Sequence, residues 1–290
     1  MKRKSMFGLC VVVALAAFAI SALAASSASA GTYYTCQAKK KGKYTTSSCA
    51  TLAKPGKGKF EKLTPSTCIS KKKGKYTSAT CTTLAKPGKG KFEKVAGPSI
   101  AASTGEAVLT TPDLGAGAVK CKSSTTAGEI TGATTSTERV TFTGCEFEGL
   151  PCESAGANST PSGKSGVIDT NLLDGKLIDN GEKGPSGLEP GVGAVWGELV
   201  SSEHTPYQAE FNCSGVVFLR TDGTISGVYT PASLNKLSTS SGEAFEKGAG
   251  EQDLGTEALT ESGWVGPFPS NEQVVGGAAI TTSPAVEIRS

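Results

Sequence analysis

The chain has 290 residues, nine cysteines, one histidine and a formal net charge of +3, and 37% of its residues are apolar, too many for a disordered chain. That small charge hides a segregation: residues 31–95 hold 16 Lys and 2 Glu, whereas residues 96–290 hold 24 acids against 10 Lys and Arg. A lone histidine excludes a zinc site built from several of them.

Residues 1–30 read as a secretory signal. Lys2, Arg3 and Lys4 form the positive start, Met6 to Ala24 is an uncharged apolar run, and Ala28-Ser29-Ala30 has the small-x-small pattern that a signal peptidase accepts. The expectation is an exported mature chain, soluble outside the cell or held at its envelope. Membrane attachment would then arise only if the signal stayed uncleaved. Cys10 sits early in the apolar run, which is not where a lipoprotein cysteine stands. The other eight cysteines are an even number in an exported chain and predict four disulfides.

Residues 31–63 and 64–95 are two copies of one 32-residue unit. Thr35 to Tyr44 recurs, with changes at Gln37 and Ala38, as Thr67 to Tyr76, and Leu52 to Lys62 recurs unchanged as Leu84 to Lys94. Each copy reads as a small β unit. Tyr33 to Cys36 extends, Lys41-Gly42 turns and Tyr44 to Thr46 returns, with a short third strand from Phe60. Lys54-Pro55-Gly56-Lys57 carries Pro and Gly at the two central positions of a type II turn. Each unit has few apolar side chains and needs a staple, so the pairings Cys36–Cys49 and Cys68–Cys81 are expected. Closing a loop of that size stabilises by about 3 kcal/mol in the chain-entropy view. With no His and no CxxC in the unit, a metal site is not expected, and no cofactor is implied.

Residues 96–103 read as a linker, and residues 104–290 as an acidic β body. Short strands are expected at Ala107 to Thr110, Ala118 to Cys121, Glu129 to Gly132 and Arg139 to Thr143. Asp174-Gly175 and Asp222-Gly223 look like hairpin turns between extended segments, the second flanked by Val216 to Thr221 and Thr224 to Tyr229. Further strands fall at Gly193 to Val200, Tyr207 to Cys213, Ala279 to Thr282 and Ala285 to Ile288. Leu234 to Glu261 is ambiguous between helix and strand. Strands at short spacing with no helical period predict an all-β fold, an antiparallel two-sheet sandwich of Greek-key or jelly-roll type rather than a closed barrel. Four body cysteines allow three pairings. The expected ones are Cys145–Cys152 as a local clasp and Cys121–Cys213 as a cross-strand tie.

Cys121, then Gly128 to Gly132 (Gly-x-Ile-Thr-Gly), then Val140 to Glu146 (Val-x-Phe-x-Gly-Cys-Glu) form a recurring pattern. On it the body resembles a group of uncharacterised exported β-rich proteins of high-GC Gram-positive bacteria. Phe211-Asn212-Cys213 and Gly227 to Pro231 fit the same group. The resemblance implies export and β structure, and it implies no activity.

Several motifs have plainer readings. Ser162-Gly163-Lys164-Ser165 mimics the end of a phosphate loop, but Asn158 stands where the motif needs Gly. Asp169, Asp174, Asp179 and Glu182 mimic a calcium loop with Leu173 at a ligand position. His204 beside Ser201 and Ser202 lacks a Gly-x-Ser-x-Gly context. Glu146 and Glu148 would serve glycoside hydrolysis only across a cleft from a second carboxyl. Asn158 and Asn212 match glycan acceptor sequences.

The candidate site is the lysine set of the repeats: Lys39, Lys40, Lys41 and Lys43, with their copies Lys71, Lys72, Lys73 and Lys75, and Tyr44 and Tyr76 among them. Lysines attract phosphates or uronates, an aromatic face can cover a sugar, and duplication raises avidity on a polymer. The functional expectation is a secreted, non-catalytic protein whose repeats engage an anionic polymer of the cell envelope or matrix, with no specific nucleic acid as partner. Two alternatives stand beside it: a secreted hydrolase acting on polysaccharide, and a structural protein that self-associates through its opposed charges.

Overall fold

The computed structural model describes residues 31–114, 117–156, 162–179, 195–201, 207–230, 237–244 and 253–289. The leader and His204 lie outside these residues.

The first repeat contributes β1 (Thr32–Gly42) and β2 (Gly58–Leu63), and the second β3 (Cys68–Gly74) and β4 (Gly90–Lys94). The body opens with β5 (Ser99–Thr104), β6 (Ala107–Thr110), β7 (Ala118–Cys121), β8 (Ser123–Ile130) and β9 (Thr135–Thr143). Next come β10 (Glu146–Phe147), β11 (Leu150–Ser154), β12 (Val167–Asp169), β13 (Leu173–Asp179) and β14 (Val195–Ser201). The last six are β15 (Ala209–Cys213), β16 (Val217–Thr230), β17 (Ser238–Ala244), β18 (Asp253–Thr260), β19 (Gly263–Val274) and β20 (Ala278–Arg289). The chain is all-β, and the pairings among these strands are antiparallel, as the short strand spacing implies.

In one respect the wiring departs from expectation: the ladders close on themselves, where a closed barrel was not expected. Following the ladders, β5 pairs β8, then β9, β13, β14, β16, β17, β20 and again β5, which closes a ring. A second ring runs from β16 through β15, β11, β10, β7, β6, β19 and β18 back to β16. Closure removes exposed strand edges, the usual route to unwanted association. The long strand β16 belongs to both rings. Its Thr224 is the point of transfer, opposite Val200 of β14 in one ring and Asp253 of β18 in the other.

Inward-facing side chains form two apolar clusters. One gathers Val119, Ile168, Phe211, Leu219 and Val274 around the four body cysteines. The other holds Ile100, Ile130, Leu177, Tyr229 and Ile288, together with Tyr33 of the first repeat.

Several expectations are corrected here. The stretch 96–103 is not a free linker. Its Ser99–Thr104 is β5, a ring strand between β20 and β8, and Ile100 is buried in the core. Neither Asp-Gly pair makes a hairpin. Asp174-Gly175 lies inside β13 and Asp222-Gly223 inside β16. Within the repeats, β1 runs on through Lys41-Gly42, and its partner is β2 rather than Tyr44 to Thr46. Tyr44 makes single bridges to Leu52 and Phe60. Parts of Leu234 to Glu261 form β17 and β18, and the tail is one strand, β20.

The body disulfides are Cys121–Cys145 and Cys152–Cys213, not Cys145–Cys152 and Cys121–Cys213. The ladders explain this. Glu146 faces both Lys120 and Pro151, so Cys121, Cys145 and Cys152 fall in one row across β7, β10 and β11, and Cys152 faces Cys213 of β15. In a row of four, bridging the inner two strands the outer two about 14 Å apart, three strand spacings. A disulfide spans no more than about 7 Å between Cα atoms. Pairing the outer neighbours satisfies all four, with Cα separations of 3.9 Å in both bridges.

Candidate functional site

Each repeat is a hairpin closed by the expected disulfide, Cys36–Cys49 in one and Cys68–Cys81 in the other, with Cα atoms 5.6 Å apart in both. The Pro-Gly turn forms as expected. Gly56 has φ 71°, and the Lys57 amide donates to the Lys54 carbonyl at 3.0 Å. Gly88 and the Lys89–Lys86 bond repeat that geometry.

The lysine triplets owe their display to a bulge. Ala38 faces Phe60 and Gly42 faces Gly58, so Lys39, Lys40 and Lys41 stand opposite the single residue Lys59. In the second copy Lys71, Lys72 and Lys73 likewise stand opposite Lys91. A regular strand would send the middle lysine to the other face. Here Lys41 and Lys73 adopt φ near +60°, and all three lysines of each triplet are exposed.

Charge divides the set. Glu61 lies 3.6 Å from Lys39 and 3.5 Å from Lys43, and Glu93 lies 3.9 Å from Lys71 and 4.0 Å from Lys75. Such exposed pairs contribute little stability, about 0–1 kcal/mol, but they offset part of the positive field. Lys40, Lys41, Lys72 and Lys73 have no carboxylate partner among the described residues. Tyr44 and Tyr76 are half-buried, each bridging two segments of its own repeat, and Lys62 Nζ lies 5.9 Å from the Tyr44 ring centre. The site also extends beyond the triplets. Lys54, Lys57, Lys59, Lys86, Lys89 and Lys91 are exposed on the turn and on the facing strand, a consequence of the hairpin fold that spacing alone does not reveal.

The two copies are used differently. Thr32 to Thr35 of β1 pair with Val286 to Arg289 of β20, so the first repeat is stitched to the body. Lys62 forms an ion pair with Glu287, and Arg289 stacks on Tyr34 with its guanidinium carbon 4.7 Å from the ring centre. The second repeat has Pro65 and Ser66 where the first has Tyr33 and Tyr34. Proline brings no amide hydrogen to a ladder. Accordingly β3 and β4 form their own two-stranded sheet, tied to the body by bonds such as Thr67 Oγ1 to the Thr131 carbonyl at 3.4 Å.

The other sequence candidates scatter. Among the described residues no group of three or more His, Cys, Asp and Glu is placed to hold a metal ion. Asp169 accepts a hydrogen bond from Thr141. Glu146 is exposed on β10, and Glu148 sits at φ 51° in the turn that follows. Ser162 Oγ bonds the Lys164 amide and carbonyl within a local turn. Asn212 caps the turn after it by accepting from the Gly215 amide at 2.9 Å and is buried. Ser202, Glu182 and Asn158 lie outside the described residues, as do the side chains of Asp179 and the whole of His204.

Fold and surface together define a class: a disulfide-bridged, antiparallel all-β body that bears two cationic hairpin modules. No known protein family, curated protein or solved structure matches the chain. Four disulfides are compatible with an oxidising, extracellular setting. Among the described residues no helix is long and apolar enough to cross a membrane.

Proposed function

We propose that the chain is an exported, non-catalytic binding protein whose two repeats hold an anionic polymer of the cell envelope or matrix. The observation that carries this reading is the unpaired set Lys40, Lys41, Lys72 and Lys73, held outward by the same bulge in both copies. A bulge on a disulfide-closed hairpin spends little entropy on binding, because its backbone is already fixed. Two copies on one chain turn a weak charge contact into an avid one when a polymer spans both. The body anchors the first copy and presents the second. The signal-like leader and the resemblance to exported β-rich proteins of high-GC Gram-positive bacteria fit the same reading.

Retention of the full mature chain on immobilised polyphosphate and polyuronate across a salt series tests it. Elution should move to lower salt when the four unpaired lysines are replaced by serine. Retention that ignores both salt and these substitutions rejects the reading, because exposed charge contacts are screened.

The opposed charges of repeats and body motivate a second reading, self-association of basic repeats with the acidic body of another copy. Sedimentation separates the two: self-association demands a larger species at low salt that dissociates at high salt. Among the described residues the cavity lining holds one carboxyl, Glu138, where glycoside hydrolysis uses two, so the cavity lends the hydrolase reading no support.

A further inference from the structure

The interior between the two rings contains a cavity of about 90 Å³. Its wall is mainly aliphatic and aromatic, with Val119, Val140, Phe142, Ile168, Phe211 and Ile225 among the lining residues. Among the described residues one titratable side chain is in that wall, Glu138 of β9, and the residue is 8% exposed.

Glu138 is placed there at the expense of its neighbours. It faces Gly128 across β8 and Leu173 across β13. A Cβ at position 128 would meet the Thr137 carbonyl oxygen at 2.2 Å and Glu138 Cγ at 2.8 Å, and one at Gly175 would meet Ser136 Oγ at 2.0 Å and Glu138 Oε1 at 3.3 Å. Gly128 is thus required first by the backbone of β9, whereas Gly175 makes room for the Ser136–Glu138 pair. Ser136 Oγ donates to Oε1 at 2.8 Å, and this is the hydrogen bond the carboxyl makes among the described residues. No cation faces it. Burial pushes its pKa up, and the Ser136 hydrogen bond only partly opposes that. Burial favours the protonated form, in which the oxygen that Ser136 does not reach can donate a hydrogen bond to a guest in the cavity.

A purely structural wall would do better without this group. Taking a carboxyl out of water into an apolar wall costs about 1–3 kcal/mol even when one oxygen is bonded, and an apolar residue of similar volume would avoid it. Elsewhere in the polar lining, the Thr104 and Ser124 hydroxyls bond each other, Thr170 Oγ1 accepts from the Val140 amide, and Gln208 Nε2 donates to the Leu199 and Gly223 carbonyls. The geometry points to a binding site for a small neutral molecule, mostly apolar and bearing one hydroxyl or carbonyl oxygen that the Glu138 carboxyl receives. The volume is about three times a water's share of the liquid, enough for a single small ring or a short chain. This site is independent of the lysine surface.

Phenol and benzene are the probes, equal in shape apart from the hydroxyl. Titration of the full mature chain, followed by methyl NMR shifts of Ile168 and Val140, should show phenol binding at least tenfold tighter than benzene. Glu138→Gln keeps a donor and should keep that preference, whereas Glu138→Leu should abolish it. Glu138→Gln also guards against misreading a variant that fails to fold, since it preserves shape. Equal binding of the two probes by the unaltered chain overturns the assignment. So does the absence of shifts at the cavity methyls up to millimolar phenol, or a preference that survives Glu138→Leu.

Discussion

Lys62 of the first repeat is ion-paired to Glu287 of the last strand, while Lys94, its counterpart in the second repeat, has no such partner among the described residues. Glu287 has no solvent exposure, Lys62 is mostly covered, and Arg289 also pairs with Glu287. One sequence unit is thus a structural clasp in its first copy and an unclasped display module in its second. Removing one member of a buried pair leaves the other charge uncompensated. Lys62→Met should therefore lower stability by up to about 3 kcal/mol, Arg289 sparing part of the loss. Lys94→Met should stay within about 0.5 kcal/mol, as surface changes do. Urea unfolding of both variants measures the difference, and equal effects would show that the clasp holds nothing.

Salt dependence follows from the same asymmetry within each triplet. Every lysine that replaces a counterion on a flexible polyanion adds roughly 0.7 to the slope of log affinity against log salt. Replacing Lys40, Lys41, Lys72 and Lys73 should reduce that slope by about three on polyphosphate. Replacing Lys39, Lys43, Lys71 and Lys75, which already share Glu61 and Glu93, should reduce it by less. Elution midpoints at several salt concentrations give both slopes.

The second repeat, lacking a ladder to the body, depends on its own staple. Converting Cys68 and Cys81 together to alanine removes about 3 kcal/mol of constraint from a unit with little core. Amide exchange should become fast across Cys68–Lys94 while Ile130, Leu177 and Phe211 in the body remain protected. Loss of protection in the body as well would mean that the second repeat is part of the cooperative core.

Glu138 makes a pH signature. Its folded pKa is raised above 4.5, so between 4.5 and that higher value the folded chain holds a proton that the unfolded chain has released. Its stabilising contribution is complete below about pH 4.5 and declines as pH climbs through the folded value. Glu138→Gln removes the titration. The stability of the variant relative to the parent should therefore improve as pH rises from 4 to 8, and thermal unfolding at fixed ionic strength reads it. A constant difference across that range would show that Glu138 is ionised in the fold.

What was legible in the sequence was local. The repeats, their bridges, the Pro-Gly turn and the strand-rich body all depend on residues within one hairpin of each other. The row of four cysteines was not legible, because it is created by the register of β7, β10, β11 and β15, which no spacing encodes. Nor was the docking of the first repeat, which joins residues 32–35 to residues 286–289 from opposite ends of the described chain. The lysines escaped alternation for a related reason: a bulge with two extra residues cannot be told from a turn when Lys41-Gly42 could be either. Asp174-Gly175 and Asp222-Gly223 have the sequence of hairpin turns and lie inside strands. A glycine in an extended run signals a turn, a bend or a close approach, and only the neighbouring strands decide which. Gly223, at φ 98°, lies next to Thr224, where β16 passes from one ring to the other.

Gly175 is the case of close approach, and it yields the last test. It lies directly opposite Ser136 in the β9–β13 ladder and is buried. A methyl group there would fall 2.0 Å from Ser136 Oγ, well inside van der Waals contact, so the hydroxyl must rotate away or the strands must part. Rotation breaks the bond to Glu138 and leaves the buried carboxyl without its donor. Gly175→Ala should cost about 1–3 kcal/mol by overpacking, despite the better strand propensity of alanine. Combining it with Ser136→Gly, which removes the obstructing hydroxyl, should recover part of that loss. A turn-forming role for Gly175 predicts the opposite, a penalty that Ser136→Gly leaves untouched, and the double-mutant cycle in urea distinguishes the two.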